Sequence, residues 1–184
     1  MTQPPLFLQP CHPRPWQRLI QHLAALRPCS WALSHLLPRL DRWELRHSHG
    51  EHSLTTLLTG LPVITLHTIG AHSGLPRNTF LVAIPDGGNI VLIASNFGSP
   101  HHPAWYYNLI AHPHTQVSLE GRTASFVTRQ TSGAERQARW RKAASLYAGF
   151  EAYRRRAKGR EIPVIVLVMD VAQLGHTKED DNHH

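Results

Sequence analysis

Short apolar runs rich in β-branched residues, each cut off by glycine or proline, set the rhythm of the chain from Leu57 onward. Val63 to Thr68 (VITLHT) reads as a strand, as do Thr79 to Ile84 (TFLVAI) and Asn89 to Ser95. Gly70, Gly74 and Pro76 break the chain between the first two, and Pro85-Asp86-Gly87-Gly88 is a hairpin signal between the next two. Gln116 to Leu119 and Thr123 to Arg129 make another hairpin around Glu120-Gly121-Arg122, and Ile162 to Met169 (IPVIVLVM) reads as a buried last strand. Two stretches switch to helical spacing. One starts at Pro103, carries Tyr106, Leu109 and Ile110, and stops before Pro113. The other opens with a capping box, Ser132 and Glu135, and runs as one long helix bearing Ala143, Leu146, Tyr147, Phe150, Tyr153 and Ala157, with Gly149 interrupting it. Hairpins and outer strands with helices between them predict an α+β fold, mainly β: a small antiparallel sheet closed into a barrel, with helices packed outside.

Upstream the pattern differs. Residues 1–15 carry five prolines. Trp16, Leu19, Ile20, Leu23 and Leu26 then recur at three- and four-residue spacing until Pro28, and a second apolar stretch runs from Trp31 to Leu40. Arginines flank the first stripe, so two readings stay open: amphipathic helices packed on the main domain, or a basic element lying on a membrane surface. Residues 41–53 are polar and histidine-rich. The chain therefore divides into an N-terminal extension over 1–53, a barrel domain over 54–174 and a polar tail over 175–184.

Composition narrows the classes. The chain of 184 residues suits one domain, and its formal net charge of +7 suggests anionic partners, among them a phosphorylated cofactor. Cys11 and Cys29 make no disulfide framework, which fits a cytoplasmic setting, and no apolar run is long enough to span a bilayer. There is no dinucleotide glycine fingerprint and no phosphate loop of the nucleotide-triphosphatase kind. The 15 histidines invite a metal, but no ligand spacing appears, and the adjacent His101 and His102 do not point at one ion; no metal is expected. Arg154, Arg155, Arg156, Lys158 and Arg160 read as a solvated helix end, since no aromatic platform or recognition helix accompanies them; nucleic acid is not an expected partner.

Three places remain for chemistry. In the turn from Gly70 to Arg77, Ser73, a flexible backbone and the Arg77 guanidinium suit a phosphate. The stretch SNFGSPHHPAWYYNL, Ser95 to Leu109, leaves a strand through a polar loop, enters a helix, and gathers three aromatics. Tyr147, Phe150 and Tyr153 fan over one side of a helix, as aromatic core or as a pocket wall with phenol donors. No nucleophile–base set can be defended, so an enzyme of this sequence would rely on a cofactor.

Four motifs in order, GLPVITLHTIGAHSGLPR, DGGNIVLIASNFG, PAWYYNLIAHP and LYAGFEAYRRRAKGREIPV, resemble the deazaflavin-dependent nitroreductase family, whose members use the reduced deazaflavin coenzyme F420. The resemblance covers residues 57–170 and implies a split β-barrel of the FMN-binding type. It implies that the cofactor's phosphate and acidic tail sit at Ala71, His72, Ser73 and Arg77, with Asn78, Thr79, Phe80, Leu81 and Val82 beside the rings. Ile93, Ala94, Ser95 and Asn96 would line the deazaflavin, and Ala104, Trp105, Tyr106, Tyr107 and Asn108 would complete the site. Tyr147, Phe150 and Tyr153 match the substrate wall. Ser95, Tyr147 or Tyr153 would bond the acceptor oxygen, making these the catalytic candidates. Three positions depart from the family pattern: His72 where Lys or Arg is usual, Phe150 where some members have tyrosine, and Val82 where some have an aromatic. The implied activity is hydride transfer to a quinone, enone or nitro acceptor. FMN in place of F420, a non-catalytic cofactor or lipid carrier, and a homodimer stay open.

Overall fold

The computed structural model describes residues 61–170. The extension helices, the linker and the tail from Gly175 lie outside the described residues. Seven strands form one antiparallel sheet: β1 (Val63–Ile69), β2 (Pro76–Val82), β3 (Ile84–Asp86), β4 (Asn89–Ile93), β5 (His114–Leu119), β6 (Arg122–Gln130) and β7 (Val164–Met169). Three helices accompany them: α1 (Ala104–Ala111), α2 (Gly133–Leu146) and α3 (Gly149–Arg156).

The strand order is β2-β1-β5-β6-β7-β4-β3, so the sheet's two edges are β2 and β3. Those edges are consecutive in the chain, joined by Ala83 alone. Seven strands laid flat would put their edges roughly 29 Å apart at the usual spacing of about 4.8 Å. Two Cα steps reach at most about 7.6 Å. The sheet must therefore roll up until its edges meet at Ala83, whose N–H donates to the Pro62 carbonyl at 2.9 Å. This is the split barrel, with α2 and α3 packed outside.

Two cores result. Ile64, Leu66, Leu92, Val117, Phe126, Ile165 and Leu167 fill the barrel, and Trp105 and Leu109 of α1 join them. Val91, Ile93, Val164 and Val166 face the other way, against Trp140, Ala143, Phe150 and Tyr153 of α2 and α3. Strands β4 and β7 are thus covered on both faces, which is why they read as continuous apolar runs rather than alternating ones.

Several element bounds differ from the sequence reading, each for a local reason. The expected strand Thr79 to Ile84 begins earlier, at Pro76, and breaks at the Ala83 corner. Proline is tolerated as the first residue of an edge strand. The third strand ends at Ile93 rather than Ser95, and the last begins at Val164, after Pro163. The first hairpin turns through Gly87 and Gly88, both at positive φ, between paired Asp86 and Asn89, as a two-residue turn of the primed kind requires. The long helix is two helices: Tyr147 adopts extended backbone, φ −141° and ψ 101°. The capping box does not form, because the Ser132 side chain caps nothing and Glu135 instead accepts from Arg129 and Arg139.

Candidate functional site

The turn between β1 and β2 is closed by Gly74 N–H donating to the Gly70 carbonyl at 2.8 Å and Gly70 N–H to Leu75 at 2.9 Å. His72, Ser73 and Arg77 are exposed on it. The turn is fixed from behind by Asn108 of α1, which is buried. Asn108 Oδ1 accepts from the Ala71 N–H at 3.0 Å, and its Nδ2 donates to Thr68 Oγ1 at 3.0 Å. A buried amide is costly unless satisfied, and here both ends are used to dock α1 on the turn.

The stretch from Ser95 turns through a short 3₁₀ segment, Asn96–Gly98. Asn96, Phe97 and Gly98 all lie at positive φ, 47°, 54° and 82°. Non-glycine residues there cost of order 1 kcal/mol or more and need surrounding contacts to hold them. Asn96 Nδ2 donates to the His101 carbonyl at 3.0 Å. Arg160 supplies most of the rest. Its guanidinium donates to the carbonyls of Ser95 at 2.8 Å, Ser99 at 3.0 Å and Ala94 at 3.3 Å, and meets His102 Nδ1 at 2.8 Å. The His102 ring packs on Tyr106 and Tyr107 of α1, with centroids 4.8 and 5.9 Å away. The Tyr106 hydroxyl donates to Gln130 at 2.9 Å.

The aromatic wall lies at the α2–α3 break. Tyr147 and Tyr153 hydroxyls are 3.0 Å apart, and both rings are buried with Phe150 beside them. Burial pushes both phenols up from their usual value, Tyr147 furthest; the neighbouring Tyr153 adds to the rise, while the Arg156 guanidinium opposes it. Both are therefore neutral O–H groups at any physiological pH, able to donate. Gly149 permits the fold-back of Tyr147, since a Cβ there would meet its ring at 2.3 Å. Phe97 packs edge-on against Tyr153 at 5.8 Å, so the loop touches this wall directly.

The predicted residues thus fall into one connected rim. Ala71 is tied to Asn108, Asn108 shares α1 with Tyr106 and Tyr107, His102 and Arg160 tie α1 to Ser95, and Phe97 reaches Tyr153, whose hydroxyl bonds that of Tyr147. Ala104 starts α1 and is exposed. Other candidates are placed differently. Trp105 is barrel core, and Ile93 and Ala94 are buried, with Ile93 turned toward α2 and α3. The strand register divides β2 between two faces. Thr79 pairs with Leu66 and Leu81 with Ile64, toward the barrel interior, while Arg77, opposite Thr68 at the turn end of that face, is exposed. Asn78, Phe80 and Val82 face outward, and Asn78 bonds His67 at 2.9 Å. Residues the sequence reading missed are Arg160, His102, Phe97, Gly98 and Thr68. The signal for Arg160 was Gly159 before it, at φ 86°, which ends the basic run by turning the chain back.

A rolled antiparallel sheet carrying this rim defines a split β-barrel of the flavin-binding type, and solved structures agree. The chain is 31% identical to an F420-H2 dependent reductase structure, which it covers to 93% using 58% of itself, with a TM-score of 0.53. A second structure, described as a domain-swapped dimer, is 28% identical, 98% covered by 76% of this chain, with a TM-score of 0.55. The family model of the F420H(2)-dependent quinone reductases matches residues 37–169, and the chain belongs to that family. An F420H(2)-dependent quinone reductase of Mycobacterium tuberculosis is 40% identical over 58 residues, 32% of this chain and 39% of the relative. The chain thus spans about two fifths of the length of the curated relatives it matches at that level. Another protein of that organism with the same family designation is 31% identical over 109 residues, 58% of this chain and 89% of the relative.

Proposed function

We propose that this chain is a reductase that binds reduced coenzyme F420 on the rim and passes a hydride to a quinone. The observation that carries the reading is the unbroken run of contacts from Ala71 through Asn108, Arg160 and Ser95 to Tyr153. It supports one extended site rather than four separate loops. The donor set fits the cofactor's chemistry: the phosphate and acidic tail call for oriented N–H groups and a cation, and the turn offers an exposed hydroxyl and guanidinium, Ser73 and Arg77. Open space lies around Gly74, where a Cβ would meet nothing within 4 Å.

When bound, the reduced deazaflavin supplies the hydride. The chain's own work is positioning and hydrogen-bond donation. Arg77, Ser73 and the turn would hold the anionic tail. Ala104, Tyr106 and Tyr107, with Ser95 and Asn96, would hold the rings, while Asn108 keeps the turn in place behind them. Tyr147 and Tyr153 share one hydrogen bond between two hydroxyls, so one phenol proton remains for an acceptor oxygen. That O–H, or the one on Ser95 Oγ, would hydrogen-bond the oxygen and stabilise it as it gains charge. An oriented donor of this kind contributes on the order of 10²-fold or more in rate. Enone and nitro acceptors share the needed electron deficiency and belong in the same screen.

Titrating the purified full chain with F420 and separately with FMN, by ring fluorescence, tests the cofactor. Reduction of a soluble quinone by the reduced complex tests the activity. Binding of FMN alone, or F420 binding with no acceptor reduced, would overturn the corresponding half of the proposal. The relative described as a domain-swapped dimer supports a homodimer, which light scattering on the eluted protein reads out. Residues 14–40 stay open between packing on the barrel, covering a partner subunit and touching a membrane surface, and vesicle sedimentation tests the last. Among the described residues no helix is long and apolar enough to cross a membrane.

A further inference from the structure

We propose that Arg160 fixes His102 as a neutral imidazole whose Nε2–H is a permanent hydrogen-bond donor to an oxygen of the cofactor. The proposal rests on the rim being the F420 site, and it names a recognition residue that the sequence reading weighed only as a metal ligand.

A guanidinium has five N–H donors and no acceptor. Arg160 Nη1 lies 2.8 Å from His102 Nδ1, so the arginine donates and Nδ1 must offer a lone pair. The ring's one proton then sits on Nε2. An imidazolium would set N–H against N–H at this distance and cannot form the contact. Arg160 cannot turn away cheaply, because its other donors hold the carbonyls of Ala94, Ser95 and Ser99. The ring cannot rotate freely either, packed as it is on Tyr106 and Tyr107.

The groups facing His102 are the Arg160 guanidinium from the segment after α3 and the two α1 phenols. No carboxylate among the described residues pairs with it to restore a charge. Burial and the nearby guanidinium both act to lower its pKa. Meanwhile Nε2 has no hydrogen-bond partner among the described residues, and neither does the Ser95 hydroxyl, whose own carbonyl Arg160 holds. Two uncommitted donors are thus set on one rigid frame beside the proposed ring site. A neutral N–H suits a carbonyl or phosphoryl oxygen and stays a donor across the whole working pH range.

The test is isotope-edited NMR of the histidine ring nitrogens in the full chain, free and with F420. In the free protein His102 should show the Nε2–H tautomer alone from mildly alkaline to mildly acidic pH, and Arg160→Gln should return it to a tautomer mixture. Adding F420 should move the Nε2 signal. A shift with the phosphate-free deazaflavin riboside as well places the oxygen on the ring or its sugar chain; a shift with F420 only places it on the phosphate or the acidic tail. His102→Phe keeps ring packing and should weaken F420 binding roughly tenfold, the size of one good hydrogen bond. His102→Gln offers an amide N–H and should recover most of that loss; matching thermal melts confirm that the variants are folded. A tautomer mixture in the free wild type, an unmoved Nε2 signal with F420 bound, or undiminished binding by His102→Phe overturns the inference. If the wild type binds no F420, the functional reading falls, while the tautomer in the free protein still tests the Arg160 clamp.

Discussion

Gly98→Ala is the sharpest test of how the loop seats α3. A Cβ at Gly98 would come within 2.7 Å of Arg156 Cβ, 2.8 Å of the Tyr153 carbonyl oxygen and 3.2 Å of Tyr153 Cα. Two of these three atoms are helix backbone, so the neighbour cannot swing aside as a flexible side chain would. The residue also sits at φ 82°, where alanine pays about 1 kcal/mol relative to glycine. Overpacking against a rigid neighbour adds roughly 1–3 kcal/mol. The expected loss is therefore about 2–4 kcal/mol, or a fall in Tm on the order of 5–15 °C for a chain of this size. Gly121→Ala is the control. Gly121 lies at φ 75° with nothing within 4 Å of a new Cβ, so only the backbone cost of about 1 kcal/mol applies. Calorimetric melts of the two variants side by side isolate the steric part. If both fall by the same amount, the claim that Gly98 is needed for close approach to Tyr153 is wrong. The same variant should loosen the Phe97–Tyr153 contact, so turnover should drop more than cofactor affinity.

Three further outcomes follow from the geometry. Tyr147→Phe or Tyr153→Phe alone strands one buried hydroxyl, at roughly 1–3 kcal/mol, whereas the double variant removes both and should cost less than the sum; additive losses in denaturant melts would show that the 3.0 Å contact is not a working bond. Asn108→Leu frees the Ala71 N–H and the Thr68 hydroxyl together, so it should destabilise by about 2 kcal/mol and weaken tail binding at the turn; unchanged F420 affinity would separate the turn from the site. His102 carries a folded pKa below its unfolded value near 6.5, so the unfolded chain takes up this proton first as pH falls. Its contribution to stability is complete above about pH 6.5 and declines as pH drops through the lowered folded value; His102→Phe should flatten that part of the stability–pH curve, and an unaltered slope would contradict it.

Much of the fold was legible because strands announce themselves through β-branched runs and turns through glycine pairs. The Gly87-Gly88 and Glu120-Gly121 hairpins came out of local rules alone. What failed were features decided by tertiary contact. The α2–α3 break follows from the Tyr147 ring folding back over Gly149, and a helical stripe of Ala143, Leu146, Phe150 and Tyr153 conceals it. Glu135 does not cap because Arg129, on a strand, and Arg139 hold its carboxylate. For the site, exposed groups such as Ser73 and Arg77 were readable as anion ligands from type and spacing. Their connection was not, because it runs through Asn108 and Arg160, which bind backbone atoms 37 to 66 residues away. Backbone carbonyls leave no pattern in side-chain sequence. A basic run looks the same whether its last arginine is solvated or half-buried against a loop.

Ala83 carries one more consequence. Most inter-strand links in a β protein are places where length is free to vary. This one is shared by both edges of the sheet, so an extra residue cannot be absorbed. Inserted on either side, it would slip β2 or β3 by one position and turn every side chain of that strand to the opposite face. An insertion scan of the barrel should therefore find tolerance at the Gly87-Gly88 and Glu120-Gly121 tips and none at position 83. The shortest link in the domain is, for evolution and for engineering, its least negotiable length.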